Sequence, residues 1–528
     1  MPLAGPFRVQ LLDFDTGAPS SDAVVVHGTH TRVAGKASGV SVEAIPGEKV
    51  LAVVGAGAQG GSGSTWQIFA PWDFERGELM ASFAQLAPGE RLGVLLVNSG
   101  GRDDASVEVR VDGAAPADAV QQALRADAPV AAQVSAGHEL LRAREAALAL
   151  EGVARAEAVE SAPHRSFCVV PKLDFSRHLR KPATLLSSTP HADIYADDDD
   201  LGEYEGPALE PLAQAIEARV APAIFGSFGA PTDVDGNGKL IVLLSHELGD
   251  HLNGGWLIGY FGNADLVRAR DDSAGCTSTG SNHGEIVYLN DPRNGAANGY
   301  TASSLFSSVY PATVAHELQH LINFGRRCVE RACDGPEVTW INEALSKVAE
   351  DLAGFGWNDA GGRAEGAAYL RRGEGNLRGY DGRSLTAWEG DPIGNYQGVH
   401  SFLRFFTDRI GTELPGRLLG GAGGAAALEE TLGLPLPMAM AQWATALLLS
   451  NEPGSPYSFS GSSWSPLHDR LSHLETRGPG TLTLRHDGIG AVMSGAGLGG
   501  PARVTVRTGE ETPPYVVVVR TSAALPAR

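Results

Sequence analysis

Apolar residues recur along this chain at two different periods, and the places where the period changes divide it. From residue 1 to about 118, short alternating runs (FRVQLLDF, AVVVHG, KVLAVVGAG, RLGVLLVNSG, SVEVRVDG) are separated by glycine turns. Strands of that length and spacing predict an antiparallel β-sandwich. Residues 119–162 turn Ala/Arg/Glu-rich (HELLRAREAALALEGVARAEA) and read as a helical linker or propeptide segment. From 163 to about 475 strands and helices mix. FCVV, ADIYADDDD, KLIVLLSHEL and GEIVYLND predict strands, and LEPLAQAIEARVAPAIFGSFG and SSLFSSVYPATVAHELQHLINF predict helices. Further helices are expected at 340–354, 396–410 and 436–449. Residues 476–528 return to alternation (GTLTLRHDGIGAV, ARVTVRTG, YVVVVRTS), which predicts a small C-terminal β accessory domain. The fold class expected is thus an α+β domain between two β domains.

Composition narrows the function classes. In 528 residues, 43% hydrophobic and 20% charged content is that of a globular protein, and the length calls for more than one core. A net charge of −21 repels phosphate, so no nucleic-acid partner is expected. No apolar run reaches membrane-spanning length, and the longest, Met438–Leu449, predicts a core helix. The opening MPLAGPFRVQLLDFD has neither the basic start nor the apolar run of a signal peptide. Cys168, Cys276, Cys328 and Cys333 read as disulfides or core thiols before metal ligands, because no C-x-x-C pair exists. Nothing in the pattern sets an oligomeric state.

The chemistry concentrates in Ala312–Phe324 (ATVAHELQHLINF). His316 and His320 stand four apart, so a helix puts both imidazoles on one face, a turn apart, where they can grip one cation. Glu317 then leans toward the open side as a general base for a metal-activated water. The bland alternative is a surface helix with incidental histidines. A catalytic zinc needs a third protein ligand, and the next helical stretch, Trp340–Asp351 (WINEALSKVAED), carries Glu343 near its start. The alternative for Glu343 is an ordinary first-turn glutamate favoured by the helix dipole.

HELQH followed by NEALS resembles the gluzincin metallopeptidases, with their thermolysin-type zinc site. The wider pattern (DVDGNGKLIVLLSHE, GYFG, AHELQHLINF, TWINEALSKVAED) is similar to the hyicolysin-like secreted neutral metallopeptidases, over roughly residues 190–410. That resemblance implies a zincin-like catalytic domain at 163–475, Zn2+ held by His316, His320 and Glu343, Glu317 as base, a protein or peptide substrate, and a secreted enzyme. The aminopeptidase mark G-x-M-E-N is absent, which favours an endopeptidase. The chain departs from the family at Lys347, where an aspartate that orients a ligand histidine is expected. Glu350 or Asp351, a turn further on, could substitute. The rival reading is a zinc-binding pseudoenzyme or adhesion protein whose β domains carry the function. A zinc hydrolase acting on something other than peptide is a third.

Other residues are weaker candidates. Tyr396 and His400, four apart on the helix after the metal motif, are first and second choices for an oxyanion donor; the alternative is that both only pack or cap that helix. Gly284–Asp291 is either a plain core strand or an edge strand that adds an extended peptide. Asp233, Asp235 and Asn237 (DVDGNG) begin like a calcium loop, but the twelfth position is Leu244 instead of a glutamate. A tight turn is the first reading there and Ca2+ binding the second. His246-Glu247 imitates the metal motif but has Asp250 where the second histidine belongs, and the Asp197–Asp200 run predicts a solvated loop.

Overall fold

A computed structural model describes residues 5–9, 23–27, 31–35, 40–44, 50–53, 66–87, 90–100, 102–113, 162–171, 178–204, 209–250, 257–267, 276, 280–297, 299–331, 337–355, 384–388, 392–419, 423–449, 476–477, 480–494 and 500–521. The helical segment expected over 119–162 lies, but for its last residue, outside the described residues. The chain forms two compact units. One comprises residues 1–124, 377–386 and 428–528, the other 125–376 and 387–427.

The alternating runs at the start do form strands, though not one sandwich. β1 (Gly5–Val9) pairs with β4 (Val40–Ala44), and β2 (Ala23–His27) lies between β3 (Thr31–Gly35) and β5 (Val50–Val53). The strands β6 (Trp66–Phe69), β7 (Glu78–Leu86), β8 (Arg91–Val97) and β9 (Ala105–Asp112) belong to different sheets.

The second unit is built on one six-stranded sheet. β10 (His164–Val169), β11 (Leu179–Ser188) and β12 (Ala192–Asp197) form an antiparallel meander. β12 pairs in parallel with β13 (Leu240–Ser245). The three-residue β14 (Gly259–Phe261) runs antiparallel to β15 (Ile286–Asn290), which also pairs in parallel with β13. The spatial order is β10-β11-β12-β13-β15-β14, so β14 is an edge and β15 is interior. Of the two readings of 284–291, the core strand holds and the edge strand does not, since β15 is interior and buried. The edge on that side of the sheet is β14, which pairs antiparallel outside β15. β12, β13 and β15 are buried along their whole length, which accounts for the apolar runs LIVLL of β13 and IVYL of β15.

Three helices of this unit matter for chemistry: α1 (Tyr310–Phe324), α2 (Thr339–Leu352) and α3 (Pro392–Ile410). α1 packs on β14, β15 and α2, and α3 packs on α2. A side chain at Gly259 would meet Tyr288 O at 2.5 Å and Thr313 Cγ2 at 2.9 Å, so glycine allows β14 to lie this close to α1. Cys168 and Cys276 form a disulfide that closes a loop of sequence separation 108, a constraint of about 4–5 kcal/mol on the unfolded chain in the loop-entropy account. Cys328 is also disulfide-bonded, and Cys333, the one cysteine left in the sequence, lies outside the described residues.

The C-terminal strands do not make a separate domain. β16 (Thr476–Arg477), β17 (Gly480–Leu484), β18 (Ile489–Met493), β19 (Gly500–Thr508) and β20 (Tyr515–Thr521) interleave with the strands of residues 66–112. One sheet has the order β16-β18-β8-β20-β6 and the other β17-β9-β19-β7. The two β domains expected at 1–118 and 476–528 are thus corrected to one sandwich assembled from both ends. The reason is pairing: without β18 and β20, both edges of β8 lack partners, and without β17 and β19, β9 and β7 do. The helix Leu436–Leu449, expected inside the 163–475 domain, belongs to this unit and covers β8 and β20. That cover explains why Val516–Val519 are apolar in succession and all buried. Among the described residues no helix is long and apolar enough to cross a membrane.

Candidate metal centre

α1 forms because Pro311 suits its first turn and Val314, Leu318, Leu321 and Ile322 bury one stripe of it. The same helix turns His316 and His320 toward α2, whose Trp340, Ile341, Ala344, Leu345 and Val348 are buried. Glu343 lies a full turn inside α2 and is wholly buried, so it is not a dipole-favoured first-turn glutamate. His316, His320 and Glu343 come together as one cluster. Glu343 Oε2 stands 3.4 Å from His316 Nε2 and 3.5 Å from His320 Nε2. A tetrahedron with bonds of about 2.1 Å has edges of about 3.4 Å, so this spacing and the two-nitrogen, one-carboxylate set fit zinc.

The far side of each imidazole is also fixed. His316 Nδ1 meets Glu350 Oε1 at 2.8 Å and His320 Nδ1 meets Asn342 Oδ1 at 3.0 Å. Asn323 Nδ2 donates to the same Asn342 oxygen at 2.8 Å. With Nδ1 held as a donor, each ring presents Nε2 to the cluster. Lys347 does not stand in for the expected aspartate; Glu350 does, one turn on, and Lys347 Nζ donates to its other oxygen at 2.5 Å. Both are nine-tenths buried. Asn342 was given no role in the sequence, although it opens the NEALS stretch.

Electrostatics suit a cation. Burial pulls the His316 imidazole down, but the carboxylates of Glu343, Glu350 and Glu317 outweigh it and push the ring up to about 10. Burial likewise works to raise Glu350, and Lys347 and His316 overcome it and hold that carboxyl below its usual range. Glu317 Oε2 accepts a hydrogen bond from the Phe261 N–H at 3.0 Å, which ties the candidate base to edge strand β14. The Tyr396 ring lies 6.2 Å from the His316 ring and 5.0 Å from Trp388, beside the cluster.

His400 is elsewhere. It is 1% exposed, with Nε2 2.7 Å from Asp351 Oδ2, and Arg404 Nη1 donates to that oxygen at 3.3 Å. This buried pairing removes His400 as an oxyanion donor and Asp351 as the substitute for the missing aspartate. The Asp197–Asp200 run is solvated only at its middle, where Asp199 is exposed, whereas Asp197 and Asp200 are buried. Lys181 lies 3.5 Å from Asp197, and Arg293 and His246 pair with Asp200. That cluster already holds its counter-charges from the protein. His246 itself follows β13 on a single 3-10 turn, off any α-helix. Asn237 Oδ1 accepts from Lys239 N at 2.5 Å and its amide donates to Asp235 Oδ2 at 2.8 Å, so Asn237 is not aimed as a ligand.

The sequence is 26% identical over 144 residues to the neutral metalloprotease ShpI of Staphylococcus hyicus. The matched stretch covers 27% of this chain, and the chain spans 30% of that relative's length. No family model matches the sequence.

Proposed function

We propose that the chain is a zinc-dependent endopeptidase whose α+β unit is a zincin-type domain, with His316, His320 and Glu343 as the zinc ligands. The observation that carries this reading is the triangle of two imidazole nitrogens and one buried carboxylate oxygen, with Glu317 beside it on the same helix. The distant likeness to a neutral metalloprotease points the same way. Zinc supplies Lewis acidity toward water and a peptide carbonyl. Glu317 takes the proton of the attacking water and hands it to the leaving amine, and the Phe261 N–H holds its carboxylate in place. β14, an edge strand next to Glu317, offers backbone groups along which an extended peptide can lie. The Tyr396 hydroxyl donates to the carbonyl oxygen as charge develops on it. The Cys168–Cys276 disulfide supports an oxidising, extracytoplasmic location.

Lys347 and the flanking β regions favour the pseudoenzyme reading; against it, Glu350 offers His316 Nδ1 the carboxylate that Lys347 lacks. The Glu317→Gln variant decides between the two. It should keep its zinc and lose about 10²–10⁴-fold in casein hydrolysis. Undiminished hydrolysis in that variant overturns the mechanism.

A further inference from the structure

The loop Asp233–Gly238 lacks the local glutamate that a calcium loop of its type requires, and the fold supplies one from a distant element. Parallel pairing sets Ile241 of β13 beside Ile286 of β15, and Ile241 N donates to Glu285 O at 2.7 Å. Glu285, the residue before β15, thereby enters the base of the loop that precedes β13. One carboxylate oxygen from each of Asp233, Asp235 and Glu285 lies within 4.8 Å of the others.

These carboxylates differ from the aspartate run at 197–200, which is neutralised by Lys181 and Arg293. Among the described residues no lysine or arginine makes an ion pair with Asp233, Asp235 or Glu285, although the charges of Arg165 and His283 reach Asp235. Asp235 is fully buried and Glu285 is 1% exposed. Glu285 Oε1 accepts from Val234 N and Thr232 Oγ1, both at 2.9 Å, whereas Oε2 is buried among the described residues with no hydrogen-bond partner. A buried carboxylate oxygen without a donor is costly, the more so beside two further carboxylates. Burial first, and then the charges of Asp235 and Asp233, push Glu285 up to about 7 against the pull of Val234 and Thr232. Gly284 also fits the cluster, since a Cβ there would meet Asp235 Oδ2 at 2.9 Å.

We propose that Asp233, Asp235 and Glu285 form a calcium site, separate from the zinc ligands, that pins the loop before β13 to the strand β15. Three oxygens and no nitrogen or sulfur select a hard cation. Two of the three carboxylates are buried, which strips water from the ion. Calcium tolerates that, whereas magnesium keeps its waters and an octahedral shell. Asp233 is exposed and opens the site to solvent, where water completes the coordination. The loop is also packed against the end of the metal-motif helix region, with Thr232 against Gly325, so the ion braces the scaffold of α1.

The test uses the full chain in calcium-free buffer with zinc present, titrated with calcium by calorimetry and followed by thermal unfolding. The wild type should bind calcium and unfold at a higher temperature as calcium is added. Glu285→Gln and Asp235→Asn should each weaken calcium binding at least tenfold and lose that upward shift. A sign reversal separates ligation from mere packing. Without calcium, Glu285→Gln should be at least as stable as the wild type, because it removes a buried charge. In saturating calcium it should be the less stable of the two. No calcium binding by the wild type overturns the proposal, as does an equal calcium response in both variants or an equal response to magnesium. If Glu285→Gln does not fold, Asp235→Asn gives the same readings.

Discussion

Replacing Glu350 with Gln tests whether the helix turn beyond Lys347 restores what Lys347 takes away. Glu350 joins two groups, His316 Nδ1 at 2.8 Å and Lys347 Nζ at 2.5 Å. Its loss therefore has two separable effects. Gln in place of the carboxylate weakens the hold on His316, and losing such an outer partner typically costs 10–100-fold in metal affinity, about 1.4–2.7 kcal/mol. It also strands the Lys347 ammonium, which is 6% exposed, and breaking one side of a buried pair costs about 3 kcal/mol or more of fold stability. The double variant Lys347→Met, Glu350→Gln removes the stranded charge and should recover most of the stability while the zinc defect remains. The assays are competition with a chromophoric chelator for zinc and thermal unfolding in its absence. Zinc affinity within about threefold of wild type in Glu350→Gln would refute the orienting role. So would a double variant that recovers affinity along with stability.

Three further outcomes follow from the geometry. Tyr396→Phe should lower kcat about 10²-fold with little change in KM or zinc content, measured on a peptide substrate, because it removes only a donor to the developing oxyanion. Asp351→Asn should cost about 3 kcal/mol near neutral pH. Burial acts to raise Asp351, but His400 and Arg404 hold it below its ordinary 3.8, so its stabilisation is complete above that pH. The stabilisation is lost as pH falls through the lowered value, so unfolding curves of wild type and variant should converge in acid. Deleting residues 476–528 should abolish the β signal of the sandwich in circular dichroism, since it removes the partners of β7, β8 and β9. A folded β unit surviving that deletion would contradict the interleaved pairing.

What could be read from the sequence was local. A helix of period 3.6 sets His316 and His320 on one face whatever surrounds it, and the next helix brings Glu343 within reach, so the cluster was legible from spacing and resemblance. The remote contacts were not. Strand pairing between residues 66–112 and 476–521 depends on registers that alternation alone leaves open, so one sandwich read as two domains. Glu285 reaches Asp233 and Asp235 only through the parallel pairing of β13 and β15. Tyr396 and His400 share a helical spacing with each other but meet different neighbours, one beside His316 and the other buried against Asp351. Periodicity gives the face of a helix, and packing decides what that face meets.

The central claim is that His316, His320 and Glu343 together hold one zinc ion, and metal content by mass spectrometry tests it most directly. The wild type and Glu317→Gln should each carry one zinc per chain, while His320→Ala and Glu343→Ala should carry almost none and still fold. A wild type without zinc, or full zinc content in both ligand variants, would contradict it.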